Sequence, residues 1–234
     1  MSSGETRPQP VGEVIQSELV GLTAQCPRSL LHSPPEFGAI VRILPQDILP
    51  AAADGASSSA IDDPFADSPP LSSNLPEQTP DETLYAVVYA ASTGSSEPGR
   101  RPMAYGLDED RLRREQPHIF ELLATEFSAL TIGWARSGRF CAGLPARPPR
   151  LHAPVFECSD QEICAATENG ELLRTLVNAS REVPADELIV ACMRTAYRCR
   201  GEDYAYLVRA GKQLASLLRD NPDRLNALLG RLED

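Results

Sequence analysis

With 234 residues, 42% of them apolar, the chain is long enough for one or two packed domains, and its formal net charge of −11 disfavours non-specific binding to nucleic acid or an anionic membrane. No apolar run approaches the ~18 residues of a membrane span. The opening "MSSGETRPQPVGE" lacks the apolar stretch of a secretory signal, so a cytoplasmic protein is expected.

The first ten residues read as a disordered N-terminus. "VGEVIQSELVGLTAQC" (11–26) is rich in β-branched residues, with a break at Gly21 that predicts two strands or one bent strand. "AIVRIL" (39–44) follows a turn-rich stretch and predicts a strand. Residues 45–82 then hold seven prolines, eight acidic residues and no Lys or Arg. Such a segment cannot bury enough apolar surface to offset its ordering entropy, so it reads as a disordered acidic insertion between neighbouring strands. It carries −8 of the net charge, which leaves the remainder close to neutral. "TLYAVVYAAST" (83–93) is the most hydrophobic strand candidate.

Short helices are expected over 108–124, split by Pro117. "EFSALTIGWARSGRFCAGLP" (126–145) reads as a hairpin with Gly138 at a positive-φ turn position. "RLHAPVFEC" (150–158) makes a last strand, and Pro154 argues for an edge. From 159 the pattern turns helical. Ser159 and Glu162 have capping-box spacing, and Pro184 with two acids opens a second helix. Leu207, Gly211, Leu214 and Leu218 share a helical face, as do Leu225, Leu228, Leu229 and Leu232 behind the Asn221-Pro222 cap. Strands followed by helices predict an α+β chain: a small β-barrel over 11–158, then a helical domain over 159–234.

Familiar chemical motifs are missing. There is no phosphate loop, dinucleotide fingerprint or nucleophile elbow, so no cofactor is expected. His32, His118 and His152 are singletons without a second ligand at metal spacing. Cys26, Cys141, Cys158, Cys164, Cys192 and Cys199 form no C-x-x-C pair and read as reduced core thiols. A Cys/His nucleophile pair assembled only in space, from Cys141 or Cys158 with His152, is the enzymatic alternative. Trp134, Arg136, Arg139 and Phe140 are the nearest approach to a stacking platform for nucleic acid.

Two proline-stiffened arginine stretches stand out. In "EPGRRP" (97–102) a Pro98-Gly99 turn precedes Arg100 and Arg101. "LPARPPRLH" (144–152) carries Arg147, Arg150 and His152. Prolines fix dihedrals, so these arginines should hold set directions, which favours a carboxylate- or phosphate-bearing protein partner. The competing readings are a solvated turn, or pairing with the chain's own acids such as those of "DEDRL".

The strand order through "VGEVIQSELVGLTAQC", "FGAIVRI" and "LYAVVYAAST" resembles the HAS barrel. That barrel is found at the N-terminus of HerA-type DNA translocases and of the F1-ATPase α and β subunits. Gly12, Val14, Gly38, Val41 and "YAVVY" occupy comparable places over residues 11–94, and the acidic insertion is a departure. The whole chain also resembles cyanobacterial proteins that join such a barrel to an "EPGRRP … LPPRPPRIH" segment and a helical tail; Ala146 departs from that pattern. The resemblance implies a partner-contacting or self-associating element with no motor of its own. A nucleic-acid-associated role follows from the same resemblance as the alternative.

Overall fold

The computed structural model describes residues 9–44, 82–97, 99–179 and 183–233. Most of the acidic insertion (45–81), Pro98 and residues 1–8 therefore lie outside the described residues. Six strands close into an antiparallel barrel. These are β1 (Gly12–Ser17), β2 (Gly21–Gln25), β3 (Ile40–Ile43), β4 (Thr83–Ser95), β5 (Leu123–Arg136) and β7 (Pro154–Glu157). β1 lies between β2 and β7, β7 continues to β3, and β3 to β4 and β5. The ring closes where β5 returns to β2, from Gly21↔Leu130 to Gln25↔Glu126. β6 (Arg139–Ala142) stands outside the ring, on the far stretch of β5. The expected α+β class, a small N-terminal barrel followed by a helical region, is the fold the chain adopts.

The unbroken apolar run in β4 follows from burial on both faces. Leu84, Ala86 and Val88 belong to the barrel interior with Val14, Ala24, Val41, Phe127 and Val155. The alternate residues Tyr85 and Val87 join Ile40 and Ile132 in a second core beneath the helices. Two bulges in the β4–β5 ladder, at Tyr85/Ala86 and Val88/Ala90, add the curvature that closure needs.

Pro154 does not mark an edge strand. β7 is paired on both sides, to β1 and to β3. The proline is the strand's first residue, so its missing N–H falls where the ladder begins, and Val155 to Glu157 pair normally.

Pro117 does separate two short helices, α1 (Glu109–Glu115) and α2 (Pro117–Glu121). The C-terminal region holds α3 (Asp160–Thr167), α4 (Glu171–Val177), α5 (Ala185–Cys199), α6 (Tyr204–Leu217) and α7 (Pro222–Glu233). α3 has the full capping box of Ser159 and Glu162. Asn221 caps α7 by accepting the Arg224 N–H at 3.1 Å. α5 is central: Leu188, Ile189, Cys192, Met193 and Ala196 are almost fully buried, against Leu176, Leu214 and Leu228 of the neighbouring helices. None of the described helices is long and apolar enough to cross a membrane.

One charged cluster joins the barrel to α3. Arg42 Nη1 lies 2.6 Å from Glu162 Oε1, and the Tyr85 hydroxyl donates to the same oxygen at 3.3 Å. The other Glu162 oxygen accepts the Ser159 N–H at 2.9 Å and its hydroxyl at 2.8 Å. Burial opposes ionisation of Glu162, but the bonds from Arg42 and Ser159 outweigh it and hold the carboxyl below its ordinary range. A carboxyl depressed on folding stabilises the protein above its unfolded value, about 4.3, and that contribution is lost as pH falls through the folded value. The urea midpoint is therefore expected to drop on acidification below about pH 4.5, with Glu162→Gln flattening part of the drop. An identical pH slope in parent and variant would show that this carboxyl is not linked to folding.

Candidate functional site

The barrel interior is filled by side chains, so the chemistry available to a partner lies at the two ends and on the outer wall. The antiparallel ladder fixes which loops share an end. Ser95 pairs with Leu123, so the 96–122 connection leaves the upper end. The β1–β2 turn lies at the lower end, where the Thr131 N–H donates to the Val20 carbonyl at 3.0 Å. Between Leu123 and Thr131 run roughly 26 Å of extended strand.

The "LPARPPRLH" segment rings the lower end. It starts beside β5, where the Gly143 N–H reaches the Ile132 carbonyl at 3.3 Å, and passes the end of β1, where the Ser17 hydroxyl donates to the Pro149 carbonyl. It enters β7 through the His152 N–H, which donates to the Val14 carbonyl at 2.8 Å. Pro145 and Pro149 are buried and act as anchors; Arg147 between them and Arg150 just after them are exposed. Neither arginine has an ion-pair partner among the described residues. A tight turn closes with the Ala153 N–H on the Arg150 carbonyl at 3.2 Å, and it places His152 at φ 64. A non-glycine residue in this left-handed region is strained, a condition frequent at recognition sites. His152 Nδ1 meets the Glu13 carboxylate, so His152 is a positioned surface group and not a free one.

Sequence reasoning missed the apolar side chains around these arginines. Leu19 and Val20 in the β1–β2 turn are 42% and 52% exposed, and Leu144 and Leu151 in the ringing segment are 54% and 53% exposed. For Leu144 the signal is a large aliphatic residue beside a proline-rich turn segment; Leu19, Val20 and Leu151 read as strand residues in the sequence, so no local signal marks them as exposed. Single exposed aliphatics are ordinary, but here four lie in segments at one end of the barrel, which also presents the exposed Arg147 and Arg150.

Arg100 and Arg101 are at the upper end, away from this surface. Gly99 has the positive φ of 80° that a Pro-Gly turn requires. Arg100 is paired with Glu97 of its own loop at 2.8 Å, both groups being about half exposed. The acids of "DEDRL" serve α1 instead: Asp108 caps its N-terminus and Glu109 pairs with Arg113. The structure thus brings together Arg147, Arg150 and His152, and separates them from Arg100 and Arg101.

The other constellations do not assemble. Phe140 packs edge-on against Tyr85 with centroids 5.5 Å apart, Arg136 pairs with Glu82 and lies over Trp134, and no open stacking platform results. Cys158 lines a cavity of about 450 Å³ between the barrel and α5, with Glu36, Phe37, Arg194 and Arg198 but no histidine. Burial, reinforced by Glu162, pushes the Cys158 thiol far above its ordinary range, which suits a packed thiol and not a nucleophile. Burial likewise raises the Cys26 thiol to about 11 and that of Cys192 to about 12. A Cys141–His152 or Cys158–His152 pair within one cavity is not found among the described residues. No family model matches the chain, and no curated protein matches it significantly.

Proposed function

We propose that the chain is a non-catalytic accessory protein that docks an acidic, apolar-bearing segment of a partner protein on the lower end of its barrel. The observation that carries this reading is that exposed Leu19, Val20, Leu144 and Leu151 share one end of the barrel with exposed Arg147 and Arg150, which have no ion-pair partner among the described residues. The guanidinium groups supply direction and selectivity for carboxylates, and the aliphatic groups supply the area removed from water. Buried Pro145 and Pro149 hold the segment in place before binding, which lowers the ordering cost. By analogy alone, the HAS barrel that the sequence resembles is also a partner-contacting element, and a cytoplasmic setting suits the thiol pattern.

The test compares wild type, Arg147→Glu/Arg150→Glu and Arg100→Glu/Arg101→Glu as bait in lysate of the native host. Proteins retained by wild type and by the upper-end variant, but lost from the lower-end variant, are expected. Their contact segment, remade as a synthetic peptide, should be acidic and apolar and should bind more weakly as salt rises. Melting temperatures should agree within about 2 °C, since all four arginines are exposed surface groups. Retention by both variants, or a salt-reversible dimer of the chain itself lost in Arg147→Glu/Arg150→Glu, would overturn the reading.

A further inference from the structure

The upper end holds a second polar site. A cavity of about 290 Å³ lies between the segment after β2 and the α1–α2 pair, lined by Arg28, Ser29, His32, Ser33, Arg113 and Phe120, among others. Three basic side chains from two separate parts of the sequence thus face one space, together with two hydroxyls. Two of the three are held in place. The Arg113 guanidinium lies over the Phe120 ring, 4.4 Å from its centroid, and is fixed by Glu109 at 2.8 Å. Arg28 Nη2 donates to the Glu121 carbonyl at 3.4 Å, which keeps it at the cavity wall and leaves its remaining donors available.

We propose that this cavity binds a small phosphate-bearing ligand. Arg113 already spends Nε and Nη2 on Glu109, so it offers Nη1, and a doubly charged oxyanion has enough acceptors for that group, the free donors of Arg28 and two hydroxyls at once, which a single carboxylate does not. The volume is at the small end of ligand cavities, so the ligand is inorganic phosphate or a short phosphate ester rather than a nucleotide. Glu109 offsets the charge of Arg113, and the Glu121 carboxylate, which shares the lining, also opposes an anion. Its removal therefore has a defined sign. The site is on the opposite end from the docking surface and does not depend on it.

Isothermal titration of the full chain with inorganic phosphate and with glycerol 2-phosphate, at low ionic strength, tests the proposal. Saturable one-site binding is expected. Arg28→Gln should weaken it about tenfold or more, as loss of a charge-assisted contact does. Glu121→Gln should tighten it about threefold or more by removing the like charge. Arg139→Gln, on the outer β6 strand, should leave it unchanged. Tighter binding of the ester identifies a phosphate ester as the ligand, and equal binding identifies free phosphate. Absence of saturable binding to both probes, or binding indifferent to Arg28→Gln in a variant with wild-type melting temperature, would overturn the proposal.

Discussion

Replacing Gly38 by alanine is expected to destabilise the protein by about 2–5 kcal/mol, although only one methyl group is added. Two independent costs meet at this position. Gly38 has φ 83°, where a side chain is strained, and a Cβ built on it falls 2.5 Å from the Ala191 Cβ and 3.5 Å from the Ala191 Cα. The obstacle is a helix backbone and its first side-chain carbon, so no flexible tip can swing aside. The surrounding bonds hold the segment where it is: the Gly38 N–H donates to the Val88 carbonyl at 2.8 Å, and Val88 N–H returns to Ala39 at 3.0 Å. Gly38 is thus the point at which the barrel approaches α5 closely enough for the outer face of β3 and β4 to share a core with the helices. The expected fall in melting temperature is roughly 5–15 °C. A double-mutant cycle separates the two costs. Ala191→Gly alone should destabilise by about 1 kcal/mol through helix propensity, and in the Gly38→Ala background it should instead restore stability by relieving the contact. Additive effects of the two substitutions would show that the helix does not press on Gly38.

The elements legible in the sequence are those whose signals are local. Ser159 with Glu162, and Asn221 with Pro222, are caps whose donors and acceptors lie within one turn, and both form as the spacing implies. The apolar run of β4 is legible because both its faces are covered, although the sequence alone could not say by what. The sequence puts the break between β1 and β2 at Gly21, whereas the turn occupies Glu18 to Val20 and Gly21 opens β2. The glycine answers to a tertiary constraint: a Cβ there would fall 2.8 Å from the Ala129 carbonyl oxygen of β5. Ring closure was not legible for the same reason. It depends on the β2–β5 pairing, between residues more than a hundred positions apart, and no local pattern encodes that register. Pro154 misled because a proline that starts an interior strand and one on an edge strand look alike until the neighbours are known.

The candidate site divides in the same way. Arg147 and Arg150 were legible as exposed, because prolines on both sides restrict the backbone to turn-like paths. That they share an end with Leu19 and Val20, and that Arg100 and Arg101 do not, is a property of strand direction around the closed ring. Val20 reads as part of a strand in the sequence, and its placement at the tip turns the same aliphatic side chain from a core group into surface. The basic cavity at the upper end was illegible for a further reason. Arg28 and Arg113 are separated by two strands, β3 and β4, and neither stands in a motif.

Arg200 shows how much of the helical region rests on one side chain. It follows α5 and is only 9% exposed at its side chain, yet its charge is not balanced by a buried acid, since its partner Glu168 is 58% exposed. Its work is done by hydrogen bonds. Nη2 donates to the Cys164 carbonyl at 2.7 Å, and Nη1 donates to the Thr167 hydroxyl at 2.8 Å and the Ala196 carbonyl at 3.1 Å. The Cys164 carbonyl belongs to the last turn of α3, where the Thr167 hydroxyl also reaches it at 3.4 Å, so the guanidinium helps cap a neighbouring helix. Its plane also lies over the Tyr206 ring of α6, 4.2 Å from the centroid. Three helices therefore converge on one rigid fork. Arg200→Met keeps most of the apolar stem but removes the charged donor shared by these acceptors and the cation over the ring, at an expected cost of about 2–4 kcal/mol. Arg200→Lys should fall between, because an ammonium can reach one carbonyl but cannot bridge α3 and α5 while stacking on Tyr206. Urea unfolding followed by far-ultraviolet circular dichroism should rank the three proteins in that order. A lysine variant as stable as the parent would mean that charge alone, and not the planar fork, holds the helices together.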